Sequence, residues 1–174
     1  SNTEQPSELL GLASVFSRLR PMCNPPRSVL TAVHKFATAT TLVEHDVRVP
    51  DALLALGADE LNGNRDLFGE QVVYKTAIGT HGGGTWRLGP EDQVTPTVGG
   101  RYAFLQELID ESARNRDRRV YVVDDRIVGA MYRYAPDNDW RTNVALGGDV
   151  EPVGDVPDEA AEFALTATEA IGLD

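Results

Sequence analysis

The chain has 174 residues, 27 of them acidic and 16 basic, for a net charge of −11, and 41% of its residues are hydrophobic. That is enough apolar material for one ordinary core or two small lobes. The acid excess disfavours a nucleic-acid backbone or an anionic membrane as partner, and neither is expected. The single cysteine, Cys23, excludes an internal disulfide and a cysteine-based zinc site. His34, His45 and His81 lack metal-ligand spacing, so no metal ligands are assigned. No apolar run reaches the roughly 20 residues of a membrane span, no secretory leader is expected, and a cytoplasmic location is expected.

Fourteen of the sixteen basic residues are arginine, and the two lysines are Lys35 and Lys75. An acid-rich, lysine-poor composition suits a salt-adapted surface, and it singles out the two lysines as candidates for specific work. The chain opens Ser1-Asn2-Thr3 without a methionine. Residues 1–24 therefore read as a tag remnant and a linker helix from a preceding region, and the chain as a fragment of a longer protein.

In chain order, apolar residues from Leu9 to Leu19 recur with a helical period, ended by Pro21. Asn24-Pro25-Pro26 is a rigid turn. Ser28 to Val43 is predicted as one long helix, with Lys35 off its apolar stripe. Val47 to Pro50 is a short extended piece, Asp51 to Leu56 is predicted helical, and Gly57 to Gly69 is predicted as a polar loop that leaves Arg65 exposed. Val72-Val73-Tyr74-Lys75 is a strand, and Thr85 to Leu88 is predicted to pair back on it. Gly89 to Gly100 is loop, and Arg101 to Gln106 is a strand that ends over Glu107 to Asp110. Arg118–Val123 and Arg126–Tyr134 form a hairpin around Asp124-Asp125. Ala135 to Gly148 is a polar loop, and Pro157 opens a helix over Asp158–Ile171.

The stretch from Gln71 to Trp86, QVVYKTAIGTHGGGTW, is the centre of the functional reading. A strand ending in lysine runs into Gly79, Gly82, Gly83 and Gly84. Glycines lose the most backbone freedom on folding, so three in a row suit a loop that brings main-chain N–H groups onto a ligand. Backbone donors and an adjacent ammonium group suit a polyphosphate. A flexible hairpin is the alternative. His81-Gly82-Gly83-Gly84 also matches an esterase oxyanion motif, but no G-x-S-x-G elbow follows it, and no lysine follows the glycines as in a P-loop.

The order of these features resembles the ATP-grasp superfamily, in particular the ligases that add glutamate to a ribosomal protein and those of lysine biosynthesis. The resemblance runs from about Pro25 to Asp174. Asn24 to Val29 with Lys35 resembles the N-S-P-x-x-I segment and its first ATP lysine. Val49-Pro50 resembles the strand that follows, with Asp51-Ala52 departing from its usual threonine. Val72 to Lys75 matches the strand of the second ATP lysine, and Gly79 to Gly84 the mobile phosphate loop. Leu105-Gln106-Glu107-Leu108-Ile109 resembles the V-Q-E-[FY]-I adenine hinge, and Asp117-Arg118-Arg119 resembles D-x-R. Ile127 to Met131 with Arg133 matches a later strand, and Asp139-Trp140-Arg141-Thr142-Asn143 resembles D-[FW]-R-[ST]-N, followed by Gly147-Gly148.

The resemblance implies an α+β fold, two ATP-grasp lobes with mainly antiparallel sheets, with residues 25–105 in the first lobe and 106–174 in part of the second. It implies an ATP-dependent carboxylate–amine ligase that works through an acyl phosphate; the alternative is a non-catalytic nucleotide-binding module of the same fold. ATP and Mg²⁺ are the implied cofactors, and an amino acid or an acidic peptide or protein the implied partner, with the oligomeric state open. Lys35, Lys75, Gly82, Gly83 and Gly84 would hold phosphates. Gln106, Glu107 and Leu108 would read adenine, and Asp117 would lie near the ribose. Arg141 and Asn143 would face the transferring phosphoryl group, and Arg119 and Arg133 a substrate carboxylate. The family's metal ligands fall beyond Asp174, so the 174 residues alone are not expected to form acyl phosphate.

Overall fold

The computed structural model describes residues 5–78, 84–93, 103–109 and 115–174. Three helices open it: α1 (Gln5–Phe16), α2 (Pro26–Val33) and α3 (Lys35–Glu44). Strand β1 (Ala52–Ala55), helix α4 (Ala58–Gly63), a 3-10 turn (Arg65–Phe68), and strands β2 (Val72–Lys75), β3 (Thr85–Leu88) and β4 (Ala103–Glu107) follow. A second group comprises β5 (Arg116–Val123), β6 (Arg126–Tyr134), β7 (Asp149–Val153) and helix α5 (Asp158–Ile171). The result is α+β, as expected from the sequence.

The first sheet is antiparallel, in the order β1-β4-β2-β3. Its register sets Val72 against Leu88 and Glu107, and Tyr74 against Trp86 and Leu105. Successive side chains of a strand point to opposite faces. One face therefore gathers Ala55, Val72, Tyr74 and Leu105 with Leu61 of α4, all buried, and Leu53, Phe68 and Leu88 pack against them. This is the main core. The opposite face carries Val73, Lys75, Phe104 and Gln106. There the Phe36 ring of α3 meets the Phe104 ring edge-on, with centroids 6.3 Å apart.

The second sheet is antiparallel, in the order β5-β6-β7. Its hairpin turns at Asp124 and Asp125, whose φ angles of 51° and 55° are the left-handed values a two-residue turn needs. Helix α5 packs on β5 and β6 and reaches α3 and α2. It runs over the span expected from the sequence, with Asp158 and Glu159 in its first turn. No described helix is long and apolar enough to cross a membrane.

Four expectations are corrected. The long helix over Ser28 to Val43 is two helices, broken at His34, whose φ of −99° and ψ of 104° are extended. Asp51 to Leu56 holds a strand, because Leu53 and Leu54 pair with Leu105 and Phe104; sheet pairing outweighs helix propensity in so short a segment. Gly57 to Gly69 is mostly helical, since fully buried Leu61 anchors it to the core. Arg65 is buried, not exposed, and donates to the Asp92 carbonyl, while its Nη2 has no hydrogen-bond partner among the described residues.

Candidate functional site

Lys75 ends β2 beside Phe104 of β4 and Thr85 of β3. Its ammonium donates to Oε1 of Gln106, two residues along β4 on the same face. Lys35 opens α3. Its backbone N–H donates to the Ala77 carbonyl at 3.0 Å, and His34 forms an antiparallel bridge with Ile78. The start of α3 is thereby laced onto the two residues that lead out of β2 towards the glycines. The two lysines of the chain, 40 positions apart in sequence, meet there.

Their electrostatics are unusual. Burial lowers the Lys35 pKa from the usual 10.5. Burial also lowers that of Lys75, and the charge of Lys35 lowers it further. Desolvation and a like charge both penalise an ammonium group. Lys35 moreover sits in the first turn of a helix, where the backbone dipole disfavours a cation. A bound anion close to both ammonium groups would offset these penalties.

Gly84 closes the β2–β3 hairpin: the Thr76 N–H donates to its carbonyl at 2.9 Å, and a Cβ on Gly84 would lie 2.4 Å from Thr76 Oγ1. A side chain at Gly84 would displace the Thr76 side chain. Gly82, Gly83 and His81 lie outside the described residues. Glu107 ends β4, its N–H donating to the Asp51 carbonyl at 2.8 Å, while its carboxylate accepts from the Asp51 N–H at 3.3 Å. Half-buried Leu108 follows it. Gln106 thus serves Lys75 through its side chain, a link that its place in the hinge motif did not signal.

On the second sheet Asp117 of β5 lies opposite Arg133 of β6. Arg133 grips it with two prongs, Nε donating to Oδ1 at 2.8 Å and Nη2 to Oδ2. The Thr142 hydroxyl donates to Oδ2 at 2.8 Å and ties the 139–143 loop to this pair. Burial pushes the Asp117 pKa up, but hydrogen bonds from Arg133 and Thr142 and the charges of Arg133 and Arg119 bring it below the usual carboxylate value. Arg119 is exposed on the same face of β5. In the loop, Asp139 accepts from Arg141 through the backbone N–H (3.0 Å), Nε (3.0 Å) and Nη2 (2.6 Å). These bonds lower the Asp139 pKa to about 2. The Asn143 carbonyl accepts from the Leu146 N–H at 2.8 Å and starts a short 3-10 turn.

The structure therefore forms two groups from the residues singled out in the sequence. One is Lys35, Lys75 and Gln106. The other is Asp117, Arg133 and Thr142, joined through the loop to Asp139 and Arg141. Thr142 and Asp139 belonged to the recognised loop motif but had no role assigned; their roles need the folded loop to be seen. Among the described residues no group of three or more histidine, cysteine, aspartate or glutamate side chains is placed to hold a metal ion. Among the described residues, the ammonium groups of Lys35 and Lys75 suit a polyphosphate.

The chain is similar to several known proteins. The tetrahydromethanopterin:alpha-L-glutamate ligase of Methanocaldococcus jannaschii is 33% identical over 163 residues, which cover 88% of this chain and 55% of that protein. The chain spans about half the length of the curated relatives it matches. An ATP-grasp RimK domain protein of Sphaerobacter thermophilus has a crystal structure that matches with a TM-score of 0.71 at 17% identity, over 95% of this chain and 61% of that one. The ATP-grasp ligase PsnB, solved with Mg, ADP and a phosphomimetic variant of its minimal precursor, matches with a TM-score of 0.66 at 21% identity, over 98% of this chain and 52% of that one. These two likenesses give the fold, a partial ATP-grasp domain with antiparallel sheets. Residues 32–174 match the family model of the RimK-like ATP-grasp domain, and the chain belongs to that family.

Proposed function

We propose that the protein containing this chain is an ATP-dependent ligase that joins an amino acid, L-glutamate first among them, to a carboxylate. The observation that carries this reading is the placement of Lys35 beside Lys75, where burial lowers both pKa values and the charge of Lys35 lowers that of Lys75 further. Relatives named as alpha-L-glutamate ligases support glutamate as the amine, and solved relatives bound to peptide precursors support a peptide or other acid as acceptor. In this reaction the acceptor carboxylate takes the γ-phosphoryl group of ATP and ADP leaves. The amine then attacks the acyl carbon, forming an amide and releasing phosphate and a proton. Positioning and charge neutralisation carry most of such a phosphoryl transfer.

In this proposal Lys35 and Lys75 hold the α- and β-phosphates, and Gly82, Gly83 and Gly84 belong to the loop that covers the β- and γ-phosphates. Gln106, Glu107 and Leu108 form the adenine edge, and Asp117 lies near the ribose. Arg141, its guanidinium aligned by Asp139, faces the transferring phosphoryl group with Asn143 beside it. Arg119 receives a substrate carboxylate; Arg133 supports the same face while braced by Asp117. Magnesium would supply charge neutralisation at the phosphates, but the described residues give it no ligand set and no step is assigned to it. The lobe division at 25–105 and 106–174, the linker character of 1–24, a cytoplasmic location and a salt-adapted surface belong to the same proposal.

The test is the full natural protein with ATP, magnesium and L-glutamate, offered a panel of acidic peptides and small acids. Acceptor-dependent ADP release, with a product heavier by one glutamyl residue, is expected. ADP release without that mass gain for any acceptor contradicts a ligase.

A further inference from the structure

We infer that His34 is a positioning residue for the nucleotide site: by accepting at the start of α3 it breaks the helix and holds Lys35 against the end of β2. The inference rests on the reading of Lys35 and Lys75 as a phosphate site.

Three observations converge on it. The run from Ser28 to Val43 has the apolar period of one continuous helix, yet the chain leaves helical geometry at His34 alone, with φ −99° and ψ 104°. His34 Nδ1 accepts from the Ala37 N–H at 3.2 Å, and its carbonyl accepts from the Thr38 N–H at 2.9 Å. The imidazole thus fills the N-cap role, satisfying a donor that the first turn of a helix leaves without a partner. On its other side the His34 backbone bridges Ile78, and the next N–H, that of Lys35, reaches the Ala77 carbonyl.

These contacts have a functional consequence. In an unbroken helix the Lys35 N–H would be spent on a carbonyl within the helix. The break frees it for Ala77 and brings the lysine beside Lys75. Opposing this placement are the burial of both ammonium groups and their mutual repulsion. The first turn of α3 is held by the His34 cap, the Ala77 and Ile78 contacts and the Phe36–Phe104 packing. Removing the cap lowers the fraction of molecules with Lys35 in place, and apparent nucleotide affinity falls by that fraction.

The experiment measures ADP dissociation constants in the full natural protein, well below its melting temperature, for wild type, His34→Ala, His34→Asn and Lys75→Met. Asparagine is a strong N-cap and alanine a poor one. His34→Ala is expected to bind ADP about five-fold more weakly, the equivalent of one lost cap, and His34→Asn within two-fold of wild type. A cap that serves only the stability of α3 would lower the melting temperature of His34→Ala and leave its ADP affinity unchanged, and this overturns the inference. Equal losses in His34→Asn and His34→Ala also overturn it, because capping would then not be what matters. Lys75→Met separates the two readings. If it loses affinity while His34→Ala does not, only the role of His34 fails. If Lys75→Met binds normally, the phosphate-site reading fails and the role of His34 with it.

Discussion

Lys75 has a lowered pKa because burial and Lys35 both oppose its charge. The sign of the linkage follows. Between the lowered value and 10.5 the unfolded chain holds a proton that the folded chain has released, so in this window the penalty on folding shrinks as pH rises. A bound polyphosphate favours the charged form and draws the proton back. ADP binding should therefore take up protons in that alkaline window, read as a binding enthalpy that varies with the ionisation enthalpy of the buffer. The Lys75→Met variant should lack part of this uptake, and equal uptake in the two proteins would separate Lys75 from the phosphates. Arg141 poses a different question, since Asp139 holds it by several donors at once. Arg141→Lys keeps the charge but loses the planar fork, so turnover should fall about ten-fold or more, the loss of roughly 1.4 kcal/mol or more of transition-state stabilisation, with ADP affinity nearly unchanged. An unchanged turnover number removes Arg141 from the reacting centre. Arg65 is a structural counterexample: with Nη2 buried and without a partner among the described residues, its replacement by methionine should cost less stability than Arg65→Ala, which also opens a cavity. Thermal denaturation of the two variants decides this.

At the scale of elements, the loop from Asp139 to Gly148 depends on one close approach. A Cβ on Gly148 would stand 2.7 Å from the Tyr134 carbonyl oxygen and 2.8 Å from that of Thr142. Both are backbone atoms and cannot swing away. Gly148→Ala should push the loop off β6, at a cost of about 1–3 kcal/mol, and lower turnover with it. A variant that keeps both melting temperature and activity would show that the loop is not held at this point. The sequence made this loop legible through its D-W-R-T-N order, and it made the β5–β6 hairpin legible through Asp124-Asp125, because turn chemistry is local. Strand β2 and helix α5 were equally readable, from a β-rich run ending in lysine and from a proline that opens an acid-rich first turn. Strand β1 was not, because Ala52 to Ala55 becomes a strand only by pairing with β4, about fifty residues away. The break at His34 was hidden for the same reason. The apolar period runs through it without interruption, and the partners that stabilise it, Ala77 and Ile78, are distant in sequence. The two lysines stood out by their scarcity, but their proximity depended on that hidden break.

Over the whole chain the net charge is −11, while the proposed site would receive an anion. Self-repulsion among the carboxylates destabilises the compact state and is screened by salt, whose Debye length falls from about 10 Å at 0.1 M to about 3 Å at 1 M. The melting temperature should therefore rise between these salt concentrations, and a flat or falling response would remove salt adaptation from the account. The same view sets function against stability at the centre of the molecule. Lys75 is placed where burial and a like charge penalise it, and residues that break local rules in this way are expected at functional sites. The most direct measurement is thermal denaturation of the full natural protein and its Lys75→Met variant, each with and without ADP. Lys75→Met should melt at or above the wild-type temperature without ligand and lose most of the stabilisation that ADP gives. A variant that melts lower than wild type without ligand, yet is stabilised by ADP as strongly as wild type, would show that Lys75 serves the fold and not the phosphates.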